Sequence, residues 1–136
     1  MAEIFRGKEG IKTVWDDMLA TGAKETRWIG SGRYVPKAMP AYFKHWNERR
    51  VRQKTKWINL LRDDMRGEVI APYTLEVLKF LPPEFSGNPI VICTYGNKVV
   101  NFQFGDPLFA FVIGSKELAE NYRRYHSYLW KNVAKA

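Results

Sequence analysis

Apolar residues at Ile11, Val14, Trp15, Met18 and Leu19 recur at i, i+3, i+4, i+7 and i+8, the spacing of one buried helix face. They predict a first helix, Lys12 to Leu19, entered through Ile4–Ile11 with its two glycines. Thr21-Gly22 closes it, because glycine suits the left-handed position after a helix. Glu25 to Gly30 then reads as a strand that stops on the small residues of Ser31-Gly32. Pro36 to Gln53 reads as a second helix with Met39, Tyr42, Phe43, Trp46 and Arg50 on one face, its prolines tolerated in the opening turns. Trp57–Leu61 is a second strand, closed by Arg62-Asp63-Asp64 and followed by an irregular or helical piece to Tyr73. Leu75–Leu81 is a third strand, stopped by Pro82-Pro83. Pro89–Thr94 and Lys98–Phe104 form a hairpin around Tyr95-Gly96-Asn97. Leu108–Ile113 is a last strand, after a turn at Gly105-Asp106-Pro107. Ser115 caps the final helix, Lys116 to Trp130, whose Leu118, Tyr122, Tyr125 and Leu129 form a seam. The order is αβαβ, a run of strands, then α, and no internal repeat interrupts it. It predicts an α/β fold with a mixed β-sheet flanked by helices, and 136 residues are expected to form one domain, 1–136.

Composition narrows the class. At 46% hydrophobic and 15% aromatic residues the chain is not a disordered one. No apolar run reaches the ~18 residues that span a bilayer, and Glu3 and Arg6 around two apolar residues make no signal peptide. The single cysteine, Cys93, lies in the apolar run from Pro89 and cannot form an intramolecular disulfide. It reads as a core hydrophobe in a cytoplasmic protein without a membrane partner. The formal charge of +8 favours anionic partners and equally serves solubility. Much of it gathers at Lys44, Arg49, Arg50, Arg52, Lys54 and Lys56, opposed only by Glu48. These cations can compensate the negative end of a helix dipole, each by ~0.3–1 kcal/mol, or face a nucleic acid or protein partner.

Few residues point to chemistry. His45 and His126 are isolated in helices, and neither has a second histidine at i+3 or i+4, so the helical metal-ligand pattern is absent. Both read as surface or boundary histidines. Asp16-Asp17 falls on the polar face of the first helix and reads as solvated. Asp63-Asp64 closes a strand at the edge where α/β folds bind ligands. Gly30-Ser31-Gly32 has only the first spacing of a dinucleotide fingerprint, and no phosphate-binding P-loop is present. Paired carboxylates without a nucleophile or partner acid make no catalyst, so a non-enzyme without metal or cofactor is expected.

Phe5-Arg6-Gly7-Lys8-Glu9-Gly10-Ile11-Lys12 resembles the opening of the effector domain of archaeal TrmB-type transcriptional regulators. In the same order follow Pro40-Ala41-Tyr42-Phe43-Lys44-His45-Trp46-Asn47-Glu48-Arg49-Arg50, Lys56-Trp57-Ile58-Asn59-Leu60-Leu61, Pro82-Pro83, the hairpin to Val100, and Ser115–Tyr122 with Leu129-Trp130. The resemblance implies a phospholipase D-like fold and a regulatory role. Phospholipase D catalysis uses H-x-K-x-x-x-x-D, and here His45 is followed by Trp46-Asn47 and His126 by Ser127-Tyr128, so the catalytic set is missing.

The reading is therefore a non-catalytic effector or dimerisation domain, a homodimer that senses a sugar or another small polar ligand. The ligand is expected at the C-terminal ends of the first strands and beside the hairpin, held by Ser31, Arg33, Asp63, Asp64, Lys98 and Asn101. The winged helix that reads DNA in full-length members is expected to lie outside this chain, either in a longer protein or lost from a free-standing paralogue. The alternative is an interaction module that uses the Lys44–Lys56 surface.

Overall fold

The computed structural model describes residues 1–68, 71–87 and 89–136. The chain opens with a strand, β1 (Ala2–Arg6), and continues through α1 (Gly7–Ala20), β2 (Glu25–Ser31), α2 (Tyr34–Ala38), α3 (Pro40–Arg52) and β3 (Lys56–Leu61). It ends with β4 (Glu76–Phe80), β5 (Ile90–Tyr95), β6 (Lys98–Phe104), β7 (Leu108–Gly114) and α4 (Lys116–Asn132). Of the irregular piece expected up to Tyr73, Asp63–Met65 form a 3-10 turn, while Val69 and Ile70 lie outside the described residues.

The strands make one sheet in the order β1-β7-β6-β5-β2-β3-β4. The pairs β2–β3 and β3–β4 are parallel and the others antiparallel. The fold is thus α/β, a mixed sheet with helices on both faces, as the patterning predicts.

Two boundaries differ from the sequence reading, each for a local reason. The strand β1 was not anticipated, because it is a short edge strand in which only Phe5 is even half-buried, so it carries no period-2 signal. It pairs with β7, Ile4 opposite Phe111, and α1 starts at Gly7 rather than Lys12. Gly10 makes that entry possible: a Cβ there would meet the Phe5 carbonyl carbon at 2.6 Å. The long second helix is two helices. Proline disfavours helical backbone in the residue before it, and Met39, before Pro40, sits at φ −136°, ψ 61°.

The core lies mostly between the sheet and α1–α3. Ile11, Val14, Trp15, Met18 and Leu19 of α1 all point into it, as the spacing predicts, and meet Trp28, Val100, Phe102 and Val112 of the sheet. Four tryptophans form its centre. The Trp15 ring lies 4.5 Å from Trp46, 5.3 Å from Trp28 and 6.2 Å from Trp57. Tilted and edge-on rings of this kind add about 0.5–1.5 kcal/mol per pair beyond their area. Two indole N–H groups are satisfied inside: Trp46 donates to the Trp15 carbonyl at 2.7 Å and Trp28 to Thr26 Oγ1 at 2.9 Å. Cys93 is fully buried in this layer, and burial pushes its thiol well above the ordinary range, so it is held protonated.

The other face carries α4. Ser115 does cap it, its Oγ accepting from the Leu118 N–H at 3.1 Å. The buried residues are Ala119 and His126, however, and the expected seam is only half-buried, with Tyr125 54% exposed.

Candidate functional site

The C-terminal ends of β2 and β3 are shaped by backbone choices. A bulge separates Ile29 from Ser31, and Arg33 adopts the left-handed conformation at φ 54° before α2. Ser31 Oγ accepts from the Arg33 N–H at 3.3 Å, which helps hold that turn. The Arg33 side chain, expected to face a ligand, instead runs inward.

Its guanidinium pairs with Glu76 of β4, and both side chains are more than nine-tenths buried. Glu76 also accepts from Asn59 Nδ2 at 3.0 Å and from the Tyr73 N–H at 2.9 Å. The Arg33 guanidinium lies 4.4 Å from the Tyr73 ring centroid. From the far side Arg50 approaches Trp57 at 5.4 Å. It donates to the Thr55 carbonyl at 2.9 Å, to the Leu75 carbonyl at 3.2 Å and, through Nε, to Asn47 Oδ1 at 2.9 Å. Burial lowers the Arg50 pKa, against the pull of Glu76. Two arginines and one glutamate thus form an internal polar cluster against Trp57 and Tyr73. Asn59 Oδ1, Arg33 Nε and Trp57 Nε1 keep no hydrogen-bond partner among the described residues.

This overturns one placement directly. Arg50, grouped above with the basic surface, is 0% exposed and presents no charge to a partner. Glu76 was not singled out at all. Its strand reads as ordinary alternation, and only the ladder, which sets Leu78 opposite Asn59 and Glu76 opposite Trp57, puts it on the core face.

The six proposed ligand residues do not converge. Asp63 and Asp64 lie in the exposed turn after β3, where Asp63 pairs with Arg66 at 2.8 Å and Asp64 with Arg62 at 3.2 Å. Lys98 follows the β5–β6 turn, and Tyr95 there lies opposite Thr26. It is therefore at the other end of β2 from Ser31, roughly 17 Å away at the usual strand rise. Asn101 is on the opposite sheet face from Lys98, since side chains alternate along a strand. What lines the strand ends is a cleft of about 430 Å³ that includes Gly32, Tyr34, Lys37, Arg62 and Phe104. Tyr34 stacks on Phe104 at 4.8 Å, and Lys37 pairs with Glu68 at 2.7 Å. Lys37 and Arg62 carried no motif; their position beside the strand-end glycine was the available signal.

At the opposite end Asp16 and Asp17 are engaged rather than simply solvated. Asp17 accepts from Tyr95 OH at 2.8 Å and pairs with Lys98 at 2.6 Å. Asp16 accepts from Tyr42 OH at 2.6 Å and lies 3.7 Å from Arg49. Burial, then the neighbouring carboxylate, raises the pKa of both tyrosines, which stay neutral donors. These pairs edge a second cleft of about 420 Å³, floored by Phe5, Val14 and Val112.

Most of the basic surface is at that end too, with Lys44 about 12 Å back along α3 from Arg52. Lys44, Arg52, Lys54 and Lys56 are exposed and, among the described residues, have no carboxylate within ion-pair distance. Lys54 and Lys56 join Lys24 around an opening of about 670 Å³ where α1 and α3 both end. His45 is exposed on α3, but His126 contradicts the boundary reading. It is 1% exposed and stacks on Trp130 at 5.9 Å, with Arg27 Nη1 3.4 Å from its Nδ1. Burial, then the Arg27 charge, lowers its pKa to about 4, while the Ile58 and Trp28 backbone pulls the other way. The ring is neutral at neutral pH. No group of three or more His, Cys, Asp or Glu side chains that could hold a metal ion occurs among the described residues.

Neither a protein-family model nor a curated protein sequence matches the chain. Among solved structures it is similar to TrmBL2, an archaeal chromatin protein described as showing a novel mode of DNA binding. The TM-score is 0.69 at 11% sequence identity, over 99% of this chain and 53% of that one. The chain therefore spans about half the length of that protein. At this identity the likeness establishes the fold. No helix among the described residues is long and apolar enough to cross a membrane.

Proposed function

We propose that residues 1–136 form a regulatory effector domain of a TrmB-like transcriptional regulator, acting as a non-catalytic homodimer that responds to a small polar ligand such as a sugar. The observation that carries this reading is the fold likeness to TrmBL2, which runs through 99% of the chain. The histidine chemistry supports the non-catalytic part: His126 is buried and neutral, and His45 lies exposed on a helix with no lysine two residues on. The cleft at the strand ends supports the ligand part, with Tyr34 and Phe104 as an apolar wall and Lys37 and Arg62 as polar donors. Ser31, Asp63 and Asp64 are near it in the chain; Lys98 and Asn101 play no part there.

A thermal-shift screen of sugars and sugar phosphates tests the ligand. The expected result is a rise in Tm that Lys37→Ala with Arg62→Ala abolishes. No shift with any compound sinks the sensing role.

A second reading has its own support in the exposed, unpaired Lys44, Arg52, Lys54 and Lys56, and in the DNA binding attributed to TrmBL2. On this reading the basic end contacts a DNA backbone. Reversing those four charges then lowers duplex affinity and flattens the slope of log K against log salt. A flat salt response in the unaltered chain removes this reading.

A further inference from the structure

Charge sets the strand-end cleft apart from the cleft floored by Phe5. Lys37 and Arg62 line the first, and no carboxylate is among the described residues that do. The second mixes Glu3, Asp16 and Asp17 with Arg49 and Lys98. Glu68 and Asp64, which pair with Lys37 and Arg62, are not among the residues lining the strand-end cleft. Pairs whose carboxylate is open to water contribute little. An ammonium with three donors, or a guanidinium with five, can serve such a carboxylate and a ligand together.

The fold places both cations and the wall beside them. Tyr34 and Lys37 are three residues apart on one side of α2. Arg62 follows β3 directly and is held down on the strand ends, its side chain only 18% exposed. Gly32 makes that position possible, since a Cβ there would meet Arg62 Cζ at 2.8 Å and overlap Nη2. The aromatic wall is anchored in the core. Tyr34 stacks on Phe104, Phe104 on Phe102 at 5.0 Å, and Phe102 on the buried Trp28 at 5.5 Å, all within 11° of parallel.

We propose that this cleft takes a sugar phosphate, its phosphate held by Lys37 and Arg62 and its ring against Tyr34 and Phe104. The proposal rests on the sensing role above and names the class of ligand. A phosphate monoester carries about −1.5 to −2 charge at neutral pH and so matches two cations, where a carboxylate would match one. Its oxygens suit the planar fork of a guanidinium, which binds phosphate through two parallel N–H bonds. A neutral sugar would leave both charges unused. Free phosphate, in turn, has no C–H faces to pack on an aromatic wall by dispersion. At about 430 Å³ the cleft has the size of a small-ligand pocket.

Titration calorimetry on the 136-residue chain tests this with hexose 1- and 6-phosphates, the parent hexoses and inorganic phosphate. The esters are expected to bind about tenfold tighter than their parents or better. Lys37→Gln should remove most of that advantage. Gly32→Ala should do the same while keeping both charges, because its methyl pushes the Arg62 guanidinium off the strand ends. Lys98→Gln, in the other cleft, should leave it unchanged. Parent sugars that bind as tightly as their phosphates overturn the proposal and leave the sensing role standing. Inorganic phosphate that binds as tightly as the esters overturns the part given to the wall and makes this a site for an adventitious ion only. Esters whose binding survives both Lys37→Gln and Gly32→Ala sit elsewhere, which overturns this site. No binding by any compound overturns the proposal and the sensing role together.

Discussion

The two faces of the sheet are built in opposite ways. On the α1–α3 face, three helices press four tryptophans together, and a buried arginine–glutamate pair is held by hydrogen bonds at its edge. On the other face a single helix crosses the strands, with His126 buried and neutral beneath it and its most apolar side half-open. The first face is closed by this chain's own residues. The second is closed less completely, with only Ala119 and His126 of α4 buried and Tyr125 54% exposed. The first side is packed throughout, and the second only along one line of α4.

The contrast is broken hardest at the tryptophans. Trp46→Ala removes a ring 4.5 Å from Trp15 and the indole N–H that donates to the Trp15 carbonyl. The expected loss is about 4 kcal/mol, since large-to-small changes in a close-packed core leave a cavity as well as losing transfer energy. Trp130→Ala on the α4 side, where the ring is half-buried, should cost less than half as much. Urea unfolding of both variants measures the ratio, and equal losses would show that the faces are not so different.

The second test isolates the internal ion pair. Glu76→Gln keeps one acceptor oxygen, for either Asn59 or Tyr73, whose bonds fall on different carboxylate oxygens, and leaves the Arg33 guanidinium uncompensated in the interior. Breaking one side of a buried pair costs about 3 kcal/mol or more. The double variant Arg33→Met, Glu76→Leu should recover most of that loss, because what penalises the single change is the stranded charge. Failure to recover it would mean that the pair specifies the fold of the β2–α2 turn as well as balancing charge.

Most of this first face could be read from the sequence, and little of the second. The α1 spacing, the hairpin and the Ser115 cap rest on local rules, and local rules act within a few residues. Glu76 could not be found that way, because its partners come from β2–α2 and β3 and only the parallel β3–β4 register unites them. Lys98 and Asn101 lie away from the strand-end cleft for a related reason. Which end of β2 the hairpin meets, and which face each strand residue takes, depend on antiparallel pairing across β5 and β6. The α4 seam is a different kind of miss. The helical period was right, and the error lay in taking the apolar side to be the one that packs on the sheet, where Ala119 and His126 are buried instead.

His126 sharpens the comparison through pH. Its folded pKa of about 4 lies below the ordinary value of 6.5, so the unfolded chain binds a proton that the folded one refuses between those limits. Stability from this group is present above pH 6.5 and is lost as pH falls toward 4. Between pH 7 and pH 5 the loss is about 2 kcal/mol for such a shift. His126→Phe, which keeps a ring against Trp130, should remove that part of the slope. An unchanged slope would mean that the ring takes up its proton without leaving its site, and that the α4 face yields more easily than its burial implies.

The smallest expected effect is at the start of α4. Ser115→Ala removes the side-chain acceptor of the Leu118 N–H, and a lost N-cap of this kind typically costs about 1 kcal/mol. The cap secures the end of α4 nearest the β5–β6 turn, where the Ser115 N–H donates to the Asn97 carbonyl at 2.9 Å. The loss should be near its full value, because the cap and the Asn97 contact are what hold the first turn of α4. Hydrogen exchange at the Leu118 amide follows this directly: faster exchange in the variant is the expected outcome. Unchanged protection would mean that the Asn97 contact holds that turn without the cap.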